Sequence, residues 1–419
     1  MEYDRRFLTW WGISLFAFHL GARRLLDFDL RDIGTEVLAN LNRLAETRQE
    51  TLPVHKTLDH FLLHLGGAEA VEELRTKMVR RLLRQRVLEG CRLNRKYVIA
   101  IDGSGWLAFG KRHCEHCLVQ KCGDGHVYLH NVLEAKLIGP QGLALSIGTE
   151  FIENVDMKAV LYNENVKQDA ELKAMARLLP AMRTAFPKLP MILTADSLYG
   201  CGTAIQLAED HNCSYVYVFK PGRLPAVWQD FQSLLPLCPE NTHTVRLAAG
   251  TRRVYRWVND MSYVDSHRRE HTFHAIQCEE TNARGTTATY AWMTPEPVSA
   301  RTVEAIGIKG GRRKQNIENG FNIQKNGGMR MEHAYSTRLP LAKAYYGLLQ
   351  IAHIIQQLLL LGSPLKNLAA RAGKTPIDFY GSIKKMVQRL LECMRYVRLP
   401  PDVFDTASDR RMQIRFGFT

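Results

Sequence analysis

The chain has 419 residues, 46% of them hydrophobic, enough for roughly two or three domains with apolar cores, which excludes a disordered or low-complexity protein. Lysine and arginine number 56 against 42 aspartates and glutamates, a net charge of +14 with a sequence pI near 9.4. That surplus favours a polyanionic partner, nucleic acid first, because each cation set on a phosphate releases counterions.

Taken in chain order, residues 1–95 read as a helical N-terminal DNA-binding region. Phe7, Trp10, Trp11, Leu15 and Phe16 recur at helical spacing, and Phe7 to Leu20 is too short for the roughly 20 residues of a membrane span. Thr57-Leu58-Asp59-His60 offers a helix cap. Val71 to Leu88 carries a basic face of Lys77, Arg80, Arg81, Arg84 and Arg86 that suits a DNA backbone in aggregate. The nine cysteines are odd in number and unevenly spread, and no secretory leader is recognisable. They point to a reducing compartment, and the protein is expected to be cytoplasmic, with no membrane partner.

At residue 96 the pattern changes. Tyr97-Val98-Ile99-Ala100-Ile101-Asp102 is an apolar, β-branched run that stops on a carboxylate and Gly103, a buried strand delivering Asp102 to an open edge. His126 to Ile138 and Leu143 to Phe151 are strands joined by the turn Gly139-Pro140-Gln141-Gly142. Gln168 to Ala185 is a helix, and Met191 to Asp196 repeats the apolar run ending on an acid. Strands, a helix, then alternating strand and helix is the order of an RNase H-like domain, with a first part over 96–220. Short alternating runs make a β-rich insertion over 221–303. The second part, 304–362, holds a basic helix carrying Glu318, followed by the long apolar helix Leu339 to Leu361. Residues 363–419 form a basic C-terminal region ending in a strand-like Met412 to Phe418. The fold class is therefore α/β, an RNase H-like core interrupted by a β-rich insertion, with helical N-terminal and C-terminal regions.

Two strand ends and a helix thus present Asp102, Asp196 and Glu318. Magnesium is hard, prefers carboxylate oxygens and keeps several waters, so three acids with open positions suffice for two Mg2+ ions, with Mn2+ an alternative. Two metals roughly 3.5–4 Å apart activate the attacking oxygen and stabilise the leaving one in phosphodiester cleavage. Lys314 lies four residues before Glu318, Asn322 four after and Lys325 seven after, so all three share the carboxylate's helix face. Together with Arg312 and Arg313 they are candidate DNA contacts.

These residues carry a resemblance. From about 55 to 350 the chain resembles the DDE transposases of bacterial insertion sequences, the cut-and-paste kind. Asp102-Gly103-Ser104-Gly105 is similar to that family's first-aspartate motif, Ala195-Asp196-Ser197-Leu198-Tyr199-Gly200 to its second, and Ile317-Glu318-Asn319-Gly320-Phe321 with Lys325 to its glutamate helix. The resemblance implies Asp102, Asp196 and Glu318 as the metal-binding triad and Lys325 as a contact to the transferred DNA end. It also implies binding of double-stranded DNA, both terminal inverted repeats and target, as a homodimer in the DNA complex, and cleavage followed by strand transfer. The chain departs from the family where a tyrosine and an arginine usually precede the glutamate by seven and four residues. Gly311 and Lys314 stand there, and lysine lacks the bidentate fork. Trp257 and Trp292 in the insertion could stack on a flipped base or be core. The alternatives are a catalytically inactive or domesticated DNA-binding protein of the same fold, or a hydrolytic RNase H-like nuclease.

A second constellation lies near the first acid. Cys114 and Cys117 have the two-residue gap of zinc knuckles, and Cys122 or His126 could complete a tetrahedral structural zinc site, with His113, His116 and His130 as further choices for the fourth ligand.

Overall fold

In the computed structural model, which describes residues 3–64, 67–155, 167–248 and 250–400, the chain folds around a single mixed sheet. Its centre is β2 (Lys96–Phe109), flanked on one side by β6 (Met191–Ala195) and then β7 (Ser214–Val218), both parallel to it. On the other side β4 (Gly125–Ile138) runs antiparallel, and its far edge is shared by β5 (Ala144–Ile152) and β3 (Leu118–Cys122). A short β1 (Arg92–Leu93) also pairs with β2. The buried run Tyr97 to Ile101 forms a strand because both of its faces are covered, the situation that favours continuous apolar sequence.

Side-chain alternation splits that run between two layers. Tyr97, Ile99 and Ile101, with Leu193, Ala195, Tyr215 and Tyr217, pack on the helices Glu171–Ala185, Gly202–Asp210 and Pro225–Leu234. Val98, Ala100, Ile192 and Val216 face the opposite layer. That layer contains the long helix Leu339–Leu361, the Glu318 helix Gln315–Asn326 and the N-terminal helices beginning with Arg5–Ala17. Leu339–Leu361 is, among the described residues, the one helix long and apolar enough to cross a membrane, and 67% of its apolar window is buried inside the protein.

The β-rich stretch expected as an insertion is continuous with this sheet. Strands β8 (Thr242–Arg246), β9 (Arg252–Val264), β10 (Glu270–Thr281) and β11 (Thr287–Thr294) form an antiparallel meander, and β11 joins β7 through Trp292↔Val218 and Met293↔Tyr217. The result is 11 strands in one sheet. Trp257 and Trp292 are both core residues of the meander, 3% and 2% exposed.

The two ends of the described chain are also joined. Asn40 donates to the carbonyls of Met394 and Val397, and Arg395 ion-pairs with Asp29 and Arg398 with Glu36, so the helix Ile383–Tyr396 docks on the N-terminal helices. Thr57 lies inside its helix, His55–His64, instead of capping it. The cap comes from Asp27, whose carboxylate accepts from the His55 backbone N–H at 2.8 Å. Asp59 is used instead for a tertiary contact, accepting from the Tyr345 hydroxyl at 2.5 Å. The expected terminal strand Met412 to Phe418 lies outside the described residues.

Between the insertion and the Glu318 helix the backbone passes through a π-helical stretch, Ile306–Gly311, pressed against the sheet. A Cβ on Gly311 would stand 2.2 Å from Trp292 Nε1, and one on Gly310 2.8 Å from Val216. Because the Trp292 ring is enclosed, Gly311→Ala is expected to lower stability by about 1–3 kcal/mol through overpacking. A thermal-unfolding midpoint equal to that of the parent chain would contradict this packing.

Candidate active site and a Cys/His metal centre

Strand register brings the first two acids together. The parallel pairing Tyr97↔Met191 continues through Ala100↔Thr194, and the same register carried two residues past the last pair puts Asp102 opposite Asp196 at the ends of the two strands. Both acids follow the parity of Val98, Ala100 and Ile192, so they leave the sheet toward the layer that holds the Glu318 helix. Asp196 also caps the turn Ser197–Tyr199, its Oδ1 accepting from the Leu198 N–H at 2.8 Å.

Lys314 joins the first acid to the third. Its Nζ lies 2.5 Å from Glu318 Oε1 and 3.3 Å from Asp102 Oδ1, and the side chain is buried. Burial pushes the Asp102 carboxyl up to about 6, opposed by Lys314 and reinforced by repulsion from Glu318 and Asp196. For Lys314 burial works against the charge, yet the attraction of Asp102, then of Glu318 and Asp196, holds the ammonium above its ordinary value. All three acids therefore act on one cation. Their oxygens are not drawn as close together as the Cys/His cluster below, and the Glu318 side chain is about half exposed.

A fourth carboxylate, which the sequence reading missed, reaches the strand tips from the other layer. Glu171, in the first turn of its helix, accepts from the Tyr199 hydroxyl at 2.8 Å. A Cβ on Gly103 would fall 2.2 Å from Glu171 Oε1, so the glycine after Asp102 makes room for this acid. Burial raises the Glu171 carboxyl, with a further push from Asp196. An acid opening a helix is a weak sequence signal, because such residues ordinarily serve the helix dipole.

The remaining candidate contacts divide. Arg312 lies over the Tyr290 ring at 3.9 Å and borders a cavity of about 460 Å³ that also includes Lys220, Trp228, Trp292, Lys314 and Glu318. Asn322 is exposed and accepts from Asn326, and Lys325 pairs with Glu332 at 2.7 Å. Arg313 turns inward, and its Nη1 is buried without a hydrogen-bond partner. Lys314 is committed to the acids. The aromatic rings bordering the cavity belong to Phe219, Trp228, Tyr290 and Trp292, and Trp257, buried like Trp292, does not border it.

The Cys/His cluster keeps Cys114 and Cys117 but joins them to His113 and His130, two of the open choices, and not to Cys122 or His126. His113, Cys114, Cys117 and His130 bring one donor atom each to within 4.8 Å of the others, a group able to hold a metal ion. Cys122 and His126 are exposed and do not take part. They sit at the tip of the β3–β4 hairpin, paired as Cys122↔Gly125 and Lys121↔His126, where the register turns them to solvent. His130 is farther along β4, beneath the loop that carries the other three. Burial pushes its imidazole down to about 4, which keeps the ring neutral, the form that binds metal. All nine cysteines are free thiols.

No protein-family model matches the chain, and no curated protein matches it.

The electrostatics of Asp102 have a measurable sign. A folded carboxyl that titrates near 6 rather than 3.8 binds a proton the unfolded chain has lost, so stability falls as pH rises from about 4 to 6, and the cost is fully present above 6. Asp102→Asn is therefore expected to stabilise the chelator-treated protein at pH 7.5 by on the order of 2 kcal/mol, with the gain disappearing toward pH 4. Unfolding midpoints of the two proteins across that range test it, and a gain that grows on acidification would refute it.

Proposed function

We propose that this protein is a DNA transposase that binds terminal inverted repeats and carries out metal-dependent cleavage and strand transfer in the cytoplasm, as a homodimer on DNA. The observation that carries the reading is the convergence of Asp102, Asp196 and Glu318 on Lys314 at the tips of two register-matched parallel strands. The strand order β5-β4-β2-β6-β7, with β4 and β5 antiparallel to their neighbours and the other three parallel, supports an RNase H-like core. The meander between β7 and the Glu318 helix supports the inserted arrangement.

Asp102, Asp196 and Glu318 would hold the Mg2+ ions. Their all-oxygen donor set fits hard divalent cations, and the half-exposed Glu318 leaves room for bound water and phosphate oxygens. When bound, such ions supply an activated oxygen nucleophile and stabilise the departing 3′ oxygen. The chain's own residues do the rest. Burial of Asp102 keeps bulk water from screening the carboxylates. Lys220 and Arg312, on the rim of the adjoining cavity, provide positive charge for the DNA phosphates, and Arg312 is oriented by the Tyr290 ring. Glu171 and Tyr199 brace the tips from behind, where Gly103 admits them. In the first chemical step water attacks the phosphodiester and the 3′-hydroxyl leaves. In the second that hydroxyl attacks a target phosphodiester, so one P–O bond is exchanged for another and no external energy source is needed. The Cys/His centre stands apart from this chemistry, since thiolate donors do not suit magnesium.

Asp196→Ala and Glu318→Gln are each expected to reduce cleavage and joining of DNA bearing the flanking repeats by more than the roughly 10–100-fold typical of a change outside the metal's own ligands, while gel-shift binding persists. Parent protein that nicks DNA without joined products would indicate the hydrolytic nuclease, and binding with no cleavage an inactive DNA-binding protein. Glu171→Gln is expected to lower cleavage within that 10–100-fold range at unchanged DNA affinity, which a full-rate variant would contradict.

A further inference from the structure

The loop from Gly110 to Cys117 leaves the end of β2 and folds back over β4 instead of running directly into β3. It has no repeating hydrogen-bond ladder of its own, yet it buries Cys117 completely against His130, which is also fully buried. Something other than apolar packing must fix it.

Its polar atoms identify what. Cys114 Sγ is 3.6 Å from Cys117 Sγ and 3.5 Å from His130 Nε2, and Cys117 Sγ is 3.4 Å from the same nitrogen. A tetrahedral zinc with Zn–S of about 2.3 Å and Zn–N of about 2.0–2.1 Å sets its ligand atoms roughly 3.5–3.8 Å apart. The three separations match those edges within a few tenths of an ångström, and His113 supplies the fourth donor. Both ring nitrogens of His113 are buried without any hydrogen-bond partner. Buried polar atoms are seldom left unpaired, so this histidine lacks a partner that the protein does not itself provide.

The surroundings are arranged as outer support for such an ion. His113 is stacked on Phe109 with ring centroids 4.3 Å apart and planes 6° from parallel, which fixes its direction. His130 Nδ1 faces Glu153 Oε1 at 3.9 Å, and the other oxygen of Glu153 takes Lys343 of the long core helix at 2.6 Å. At the 3.9 Å separation no hydrogen bond joins His130 to Glu153, and the carboxylate acts on the ring through its charge. Asn154 ties the loop from outside, donating to the carbonyls of Cys117 at 2.8 Å and His116 at 3.1 Å.

We propose that His113, Cys114, Cys117 and His130 form a structural zinc site that clamps the β2–β3 loop onto β4. Two thiolates and two neutral imidazoles balance the 2+ charge, so the clamp buries no net charge, and the donor set closes the coordination shell and leaves no open position for catalysis. Loading the site releases two thiol protons per ion. Leu107 of β2 pairs with His130 across the sheet, and Asp102 pairs with Glu134 of the same two strands. The clamp therefore secures the outer end of the strand pair that presents the first acid, about 13 Å from it at four residues along the strand. The site does not depend on the proposed DNA chemistry.

The test is metal content of the purified full-length protein. About one zinc per chain is expected by elemental analysis, retained through gel filtration and lost in Cys114→Ser and His130→Ala, with Cys122→Ser and His126→Ala retaining it. Should the ligand variants not fold, cobalt substitution of the parent chain reads the same geometry, because two thiolates in a tetrahedral shell give intense visible bands and sulfur-to-cobalt charge transfer. Less than about a tenth of a zinc per chain with no cobalt spectrum, full zinc in Cys114→Ser, or a Cys114–Cys117 disulfide in the isolated protein would each overturn the assignment. DNA cleavage can fail in the same preparations without affecting any of these readouts.

Discussion

The parallel pairing of β2 with β6 is the constraint on which the rest of the architecture depends. Both strands are buried on both faces, so a slip of one residue would exchange every side chain between two layers of different shape and polarity. Tyr97 and Met191 would then leave the helices that enclose them, and Asp102 and Asp196 would no longer face the same way. The apolar residues of this pair thus fix two carboxylates they never touch. Loop-borne acids would lack that precision, since loops are bound by fewer contacts.

The third acid is held by a different device. Its helix rests on a buried polar chain in which Lys136 donates to Gln324 at 3.2 Å, Gln324 to Gln350 at 2.7 Å, and Gln357 to the Ala144 carbonyl at 2.9 Å, with His353 among them. Burial pushes the Lys136 amine down to about 8, a sign of how dry this junction is. The Lys136 ammonium also sits 4.2 Å from the Phe321 ring centroid. Such groups add little net stability compared with apolar packing, but a buried donor or acceptor left unpaired is costly, so the network resists displacement of the helix. The helix is seated there, and so is Glu318. Glycine completes the seat upstream, where Gly307, Gly310 and Gly311 let the backbone approach Tyr255, Val216 and Trp292.

Much of this was legible in the sequence, for identifiable reasons. The runs Tyr97–Asp102 and Met191–Asp196 are strands because continuous β-branched and apolar residues need cover on both faces, and the helix around Glu318 and the long helix after it were equally plain. What stayed hidden depended on register and on contacts distant in sequence. Spacing could nominate Cys114 and Cys117, but His130 was one of several choices until the pairing of β4 with β2 and β3 showed which histidine lies under the loop. Glu171 was invisible because its neighbour, Gly103, is 68 residues earlier and carries no side chain to suggest a partner. Thr57-Leu58-Asp59-His60 reads as a cap because local sequence cannot announce that Asp59 meets Tyr345. Lys314 had the right position for a phosphate contact, but nothing local revealed that Asp102 would claim it. The strands of the meander follow from their short alternating runs, but their joining to β7 through Trp292 and Met293 has no local signal.

That fusion has a mechanical meaning. Trp292↔Val218, Met293↔Tyr217, the Phe219 N–H to Ala291 carbonyl bond and the Thr294 hydroxyl to Tyr215 carbonyl bond stitch four strands to the remaining seven. At this waist the sheet is held by two paired positions and the bonds beside them. At that waist the Trp292 indole leans on Gly311, one helical turn upstream of Lys314 and two upstream of Glu318. A shift of the outer strands would therefore reach the helix of Glu318 through the contact of Trp292 with Gly311.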